Sequence, residues 1–373
     1  MTSGRRTRIL IVDDSAVMRS LLRAVVCADT GLEVAGTAGD GESALSAIET
    51  LHPDLVLLDV EMPVMDGLVT LRKLRAKNHK MPVIMCSSLT QRGAKVTIEA
   101  LSFGASDYVA KPTGQADRES AMQALSQDLI PKIHALTSQP QPLLPSAPRT
   151  PLITTFAPPP KAQTISSIPV AVAIGVSTGG PAALDLLLPT LPASFPLPIL
   201  IVQHMPELFT KLFAERLDGR CPMQVREAVE GAPVRAGAIY IAKGNWHLEV
   251  LAGARAGAPN TLHLTQGLPE NHCRPAVDVL FRSMAAVYGA GALAVVLTGM
   301  GSDGMVGCRA IREHGGSVLA QDQATSTVWG MPGVVTNAGL AQKVLPLNAI
   351  APEILRLASR THSEAHELRE SVV

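Results

Sequence analysis

The chain has 373 residues, with 32 Lys+Arg balanced by 32 Asp+Glu, 47% apolar residues and 3% aromatic ones. At roughly 100–200 residues per domain this length predicts two or three domains, and the apolar fraction excludes a disordered chain. Zero net charge argues against a nucleic-acid binder that works through a general basic field.

In chain order, the N-terminal arginines lead only into the short apolar run Ile9–Val12, too brief for the core of a signal peptide. That run is predicted as a strand, and Ala16–Val26 as an amphipathic helix. Strands over Leu32–Ala38, Leu55–Leu58, Val83–Cys86 and Asp107–Ala110 then alternate with helices over Gly41–Leu51, Leu68–Arg75, Ala94–Phe103 and Arg118–Leu129. This alternation predicts a doubly wound parallel sheet over residues 5–130. From Pro131 to Pro169 prolines recur among Gln, Ser, Thr and Ala, a composition for extended chain, so residues 131–167 are expected to be a linker.

Beyond it, Val170–Val176, Ile199–Val202 and Ala292–Leu297 are near-continuous apolar runs, which suit strands covered on both faces. A second, larger Rossmann-like parallel-sheet domain is expected over residues 168–360. Between Ala238 and Thr265, turn signals at Gly244-Asn245 and Gly253–Gly257 predict a β-hairpin excursion. Residues 361–373 read as a polar tail that frays. The apolar stretch Leu184–Val202 is broken by Pro189, Pro192, Pro196 and Pro198, which argues against a membrane span. Five scattered cysteines (Cys27, Cys86, Cys221, Cys273, Cys308), never in a CxxC pair, fit reduced thiols better than disulfides or a zinc site. A cytoplasmic protein without direct membrane insertion is expected.

Asp13 and Asp14 directly follow the first strand, and Asp59 follows the third. Ligands of doubly wound sheets bind at the carboxyl ends of strands. Three carboxylates converging there repel one another unless a cation lies between them, and hard oxygen ligands suit Mg²⁺. Ser87 follows the fourth strand and Lys111 the fifth, where a lysine places positive charge beside a phosphoryl group. Lys111-Pro112 resembles a fixed cis turn. Taken singly, Asp13-Asp14 reads equally as a helix N-cap and Asp59 as a solvated loop acid; their coincidence at matching strand ends favours a site.

With "ILIVDDS", "LVLLDVEMPVMDG", "VIMCSS" and "ASDYVAKP", residues 5–130 resemble response-regulator receiver domains, which are flavodoxin-like. The resemblance implies that Asp59 accepts phosphate and that Asp13, Asp14, Asp59 and the Glu61 carbonyl hold Mg²⁺. It further implies that Ser87 and Tyr108 form a switch pair and that Lys111 contacts the phosphoryl group.

In the second domain, "GVSTGGP" (Gly175–Pro181) fits a sharp strand-to-helix turn that exposes Ser177 near free N–H groups. The same residues read equally as a phosphate-cradling glycine loop with Ser177 as an N-cap. His204 closes the next apolar strand, about one βαβ unit later, so both side chains fall on one sheet edge. Asp303 follows the strand Ala292–Leu297 and is suited to orient that histidine. The order Ser, His, Asp differs from that of α/β-hydrolases, so that fold is not assigned.

Gly299-x-Gly301-x-x-Gly304, with Asp322 downstream, mimics a dinucleotide fingerprint, but Asp303 would set a carboxylate where a pyrophosphate sits. His362 and His366 flank Glu364 without forming HExxH and read as solvated. In "NHCRP", Cys273 reads more readily as a buried thiol than as a catalytic one, and Arg274 as a possible lining of an acidic-substrate pocket.

"GVSTGG", "QHMP" and "LTGMGSDG", extended by "NHCRPAVDVLF" and "WGMPG", resemble the chemotaxis protein-glutamate methylesterase family over residues 168–357, and the receiver in front matches its domain order. That resemblance implies Ser177 as nucleophile, His204 as general base and acid, Asp303 as orienting acid and the Met300 N–H as an oxyanion donor. It implies methylated chemoreceptor cytoplasmic domains as substrate, glutamine deamidation as a second activity, and a histidine kinase as phosphoryl donor. Ester hydrolysis itself is expected to need no cofactor. A receiver with a non-catalytic binding output is the competing reading.

Overall fold

Apolar runs that bury nearly every side chain become the inner strands of two parallel sheets. The computed structural model describes residues 5–88, 90–112, 118–137, 168–255 and 257–370, with the backbone alone from residue 360.

In the first sheet, β1 (Thr7–Val12), β2 (Leu32–Ala38), β3 (Leu55–Asp59), β4 (Val83–Ser87) and β5 (Asp107–Ala110) lie in the order β2-β1-β3-β4-β5. The helices α1 (Ala16–Ala28), α2 (Gly41–Leu51), α3 (Gly67–Ala76), α4 (Gln91–Ser102) and α5 (Arg118–Thr137) connect and flank them. Short polar side chains start the helices where the strands end: Ser15, Asp40, Asp66 and Thr90 each accept a first-turn N–H.

Three expectations differ from what is seen. The sequence predicts a linker from Pro131, but α5 continues through Pro131 to Thr137. Proline costs a helix one hydrogen bond. Here Leu125, Leu129 and Ile133 are buried on α1 and the sheet, and His134 Nε2 lies 2.8 Å from Asp29 Oδ2, so packing carries the helix through. The rest of the expected linker, 138–167, lies outside the described residues. The cis peptide bond among the described residues joins Arg274 and Pro275, not Lys111 and Pro112.

The second sheet comprises β6 (Ala171–Val176), β7 (Ile199–Gln203), β8 (Gln224–Glu227), β9 (Ala238–Ile241), β12 (Ala292–Val296), β13 (Ser317–Gln321) and β14 (Lys343–Leu345). They are all parallel, in the order β14-β13-β12-β6-β7-β9-β8. The excursion is an antiparallel pair, β10 (His247–Leu251) with β11 (Thr261–Thr265), while β9 stays in the main sheet. Covering helices are α6 (Gly180–Leu187), α7 (Glu207–Asp218), α8 (Val277–Tyr288), α9 (Met305–Glu313), α10 (Met331–Asn337) and α11 (Leu347–Glu370). The third difference is at the end of the chain: the expected frayed tail is helical backbone to Glu370. It extends a helix anchored by buried Ile350, Ile354 and Leu357. Among the described residues no helix is long and apolar enough to cross a membrane.

The chain leaves β6 toward β7 on one side, while β12 lies on the other. The carboxyl end of β6 is therefore a topological switch point, where open α/β sheets form their crevice.

Candidate active site

Three strand ends converge at that crevice. Parallel pairing sets Val176 opposite Gln203 and Gly175 opposite Val296, so Ser177, His204 and the loop after β12 emerge side by side. The crevice needs glycine at two points. Gly179 has φ +76°, a left-handed conformation that L side chains rarely adopt, and it caps α6. The helix cap is thus Gly179, which removes the reading of Ser177 as an N-cap. In the loop after β12, a Cβ on Gly299 would come within 2.8 Å of Ser177 Cβ, so only glycine lets the two loops touch.

Hydrogen bonds lock the strand ends together. The Ser177 N–H donates to the Thr298 carbonyl at 3.0 Å, and Gln203 Nε2 donates to the carbonyls of Ser177 and His204. Thr298 Oγ1 donates to the Thr178 carbonyl at 2.9 Å. The N–H groups of Gly330 and Met331 both donate to the Gly299 carbonyl, which fixes the chain on either side of Met300.

His204 and Asp303 meet directly, with Nε2 2.8 Å from Asp303 Oδ2. Asp303 is buried and well supplied with donors. Its Oδ2 also accepts the Val277 N–H at 2.7 Å, and its Oδ1 accepts from the N–H groups of Asp278 and Gly304 and from Asn271 Nδ2. Burial alone would raise its carboxyl pKa; His204 and these N–H groups outweigh that and hold it below the usual range. For His204, burial opposes the charged form, but contact with Asp303 and Cys273 pushes its pKa up to about 9. Its Nδ1 faces Cys273 Sγ at 3.6 Å. No hydrogen bond links the Ser177 hydroxyl to His204 among the described residues, so serine and imidazole share the crevice without being joined.

Sequence reasoning missed Asn271, Asp278 and Gln203. Asn271, at φ +51°, bridges Asp303 and Asp278 with one amide nitrogen at 3.0 Å from each. Asp278 accepts the Gly307 N–H at 2.6 Å; burial, with the Asp303 charge adding to it, raises its pKa. The "NHCRP" cluster was the available signal, with Asn271 at its head. The Arg274 guanidinium is turned toward Asn245 and the carbonyls of Gln266 and Gly267. In the Gly299–Gly304 loop the Asp303 carboxylate accepts the Gly304 N–H, which sets negative charge where a pyrophosphate would sit.

At the carboxyl edge of the first sheet, Lys111 Nζ lies 2.7 Å from both Asp13 Oδ2 and Asp59 Oδ2. Oxygen atoms of Asp13, Asp14 and Asp59 lie within 4.8 Å of one another. Three carboxylates against one lysine leave net negative charge on hard oxygen donors, which fits Mg²⁺. Burial pushes Asp59 up to about 6; Lys111 pulls against this and the Asp13 charge adds to it. Glu61 lines the same cleft, its carboxylate turned out toward Arg92 and its N–H toward Asp59. Ser87 is buried at the end of β4.

The two sites are mechanically joined. Helix α4 packs on α6 and α7, and Tyr108 stacks on Phe209 with ring centroids 4.7 Å apart. Thr178, the neighbour of Ser177, donates to Asp107 Oδ2 at 2.6 Å in a buried hydrogen bond.

The CheB methylesterase family model matches residues 172–354, and the response regulator receiver domain model matches residues 9–123. A protein from Trichodesmium erythraeum named protein-glutamate methylesterase/protein-glutamine glutaminase is 48% identical, over 94% of this chain and 98% of that protein. One of the same name from a Nocardioides strain is 50% identical, over 95% and 96%. A crystal structure of the Thermotoga maritima CheB methylesterase catalytic domain is 42% identical, with TM-score 0.49, and covers 51% of this chain and 98% of that one.

Proposed function

The chain belongs to the protein-glutamate methylesterase/protein-glutamine glutaminase family, with a receiver domain in front of the hydrolase, and from that premise we propose how its residues act. Its substrates are glutamyl methyl esters on the cytoplasmic domains of chemoreceptors, together with specific glutamine side chains there. The observation that carries the reading is the His204–Asp303 pair at the sheet edge where Ser177 emerges.

Asp303 holds the proton of His204 Nε2 and stabilises the imidazolium, which leaves Nδ1 as the nitrogen that takes the Ser177 proton. Ser177 Oγ attacks the γ-carbonyl carbon, and the tetrahedral oxyanion is held by backbone N–H groups, that of Met300 among them. The contact of Gly299 with Ser177 supports this choice. Each such donor is worth about 3–4 kcal/mol of barrier. The imidazolium returns its proton to the departing oxygen and methanol leaves, or ammonia from an amide. Water then gives up a proton to His204 and attacks the acyl-serine; His204 passes that proton to the departing Ser177 Oγ, and the glutamate side chain is released.

Control comes from the receiver, whose docking on the hydrolase through Tyr108–Phe209 and Asp107–Thr178 restrains it until phosphorylation weakens that packing. Asp59 accepts a phosphoryl group from a histidine kinase, with Lys111 against the phosphoryl oxygens and Ser87 and Tyr108 responding. Asp13, Asp14, Asp59 and the Glu61 carbonyl would hold Mg²⁺, which supplies charge neutralisation on the transferring group. The domain division follows: receiver to Thr137, linker over 138–167 and hydrolase over 168–360. The test is methanol release from methylated receptor, with and without a phosphoryl donor. Ser177→Ala should abolish it while the fold persists; unchanged turnover removes Ser177 from the mechanism.

A further inference from the structure

We propose that His204 Nδ1 and Cys273 Sγ form a binding site for a thiophilic divalent cation, Zn²⁺ as its probe, and that the ion switches hydrolysis off by occupying the imidazole lone pair. Only the effect on activity rests on His204 being the base; binding does not.

The two donor atoms stand at the spacing a metal ion requires. Zn²⁺ takes sulfur at about 2.3 Å and nitrogen at about 2.0–2.1 Å, so two ligand atoms at the tetrahedral angle stand about 3.5 Å apart. Cys273 Sγ and His204 Nδ1 stand 3.6 Å apart, a sulfur hydrogen bond whose length is also close to that edge.

The far side of the ring is already set for a metal ligand. Metal-bound histidines commonly donate their other N–H to a carboxylate, which fixes the tautomer and the ring plane. Asp303 already does this at 2.8 Å from Nε2, and Val277, Asp278, Gly304 and Asn271 hold it in place. Donor atoms of His204, Cys273 and Asp303 lie within 4.8 Å of one another.

Cys273 is also held in position. Its N–H donates to the Glu270 carbonyl and its carbonyl accepts the Glu270 N–H, so the sulfur is presented from a closed two-residue bridge. The nearest cationic side chain in sequence, Arg274, is engaged by Asn245, Gln266 and Gly267. Binding displaces the thiol proton and, below about pH 9, the Nδ1 proton of the imidazolium as well, and leaves the other corners to water. Soft sulfur with imidazole selects Zn²⁺ over Mg²⁺, whereas the all-oxygen cluster of Asp13, Asp14 and Asp59 has the opposite preference.

The experiment uses the full chain with excess Mg²⁺ to keep the carboxylate cluster filled. Zn²⁺ should abolish ester hydrolysis, and a chelator should restore it. Co²⁺ should give a thiolate-to-metal charge-transfer absorption in the wild type, in Ser177→Ala and in the controls Cys27→Ser and Cys221→Ser. Cys273→Ser should lose the absorption. Measured against its own activity, it should need at least about tenfold more Zn²⁺ for half-inhibition, since even second-shell losses cost about 10–100-fold in affinity. Persistence of the absorption and of the Zn²⁺ sensitivity in Cys273→Ser would overturn the proposal, as would an enzyme indifferent to Zn²⁺. Retention of the Co²⁺ signal by Ser177→Ala separates the metal site from the catalytic role of Ser177.

Discussion

Replacing Asp107 by alanine should raise the basal hydrolase activity of the unphosphorylated chain. Asp107 lies in the receiver, far from Ser177 in sequence, yet its carboxylate accepts the Thr178 hydroxyl at 2.6 Å beneath the docked domains. Hydrogen bonds to charged groups contribute about 1.5–3 kcal/mol, and each 1.4 kcal/mol is a factor of ten. Losing this one shifts the balance between docked and open domains by about 10–150-fold toward open. Tyr108 stacked on Phe209 remains and holds part of the interface. The assay is methanol release from methylated receptor without a phosphoryl donor, with the phosphorylated wild type as ceiling. Asp107→Ala should approach that ceiling and respond little to the donor. Basal activity at or below wild type, with phosphorylation still activating fully, would refute a latch through Thr178.

Other consequences follow from the charge arrangement. His204, at about 9, is a free base only at alkaline pH, so hydrolysis should climb with pH toward about 9; Asp303→Asn should move that limb below about 6.5 and cut kcat by about 10⁴, measured by pH-rate profiles. Because the folded pKa lies above the unfolded value, the stabilisation from His204 is fully present below about 6.5. It is lost as pH rises through about 9, amounting to ~3 kcal/mol read from urea midpoints at either end. Asn271→Ala leaves Asp303 and Asp278 without their shared donor. It should lower kcat by about 10–100-fold with little change in KM, since a lost buried partner costs about 1–3 kcal/mol. A parallel rise in KM would point instead to substrate contact.

The strand-helix rhythm of both domains, and the positions of Asp13, Asp59, Ser177, His204 and Asp303 at strand ends, were legible because they are local. Apolar runs, flanking glycines and short polar caps act within a few residues, and parallel sheets place successive strand ends on one edge. Where local cues misled, burial overrode them: α5 passes through Pro131 because its apolar face packs on α1. Partner choice across the sheet was not local. That Asn271 bridges two buried acids, that Cys273 faces His204, and that Asp107 reaches Thr178 depend on segments brought together only when the chain closes. The sequence by itself determined which side chains stand at the carboxyl edges of the two sheets. Only the tertiary structure decided which of their atoms meet, because hydrogen bonds act over about 3 Å and no sequence spacing specifies such a distance.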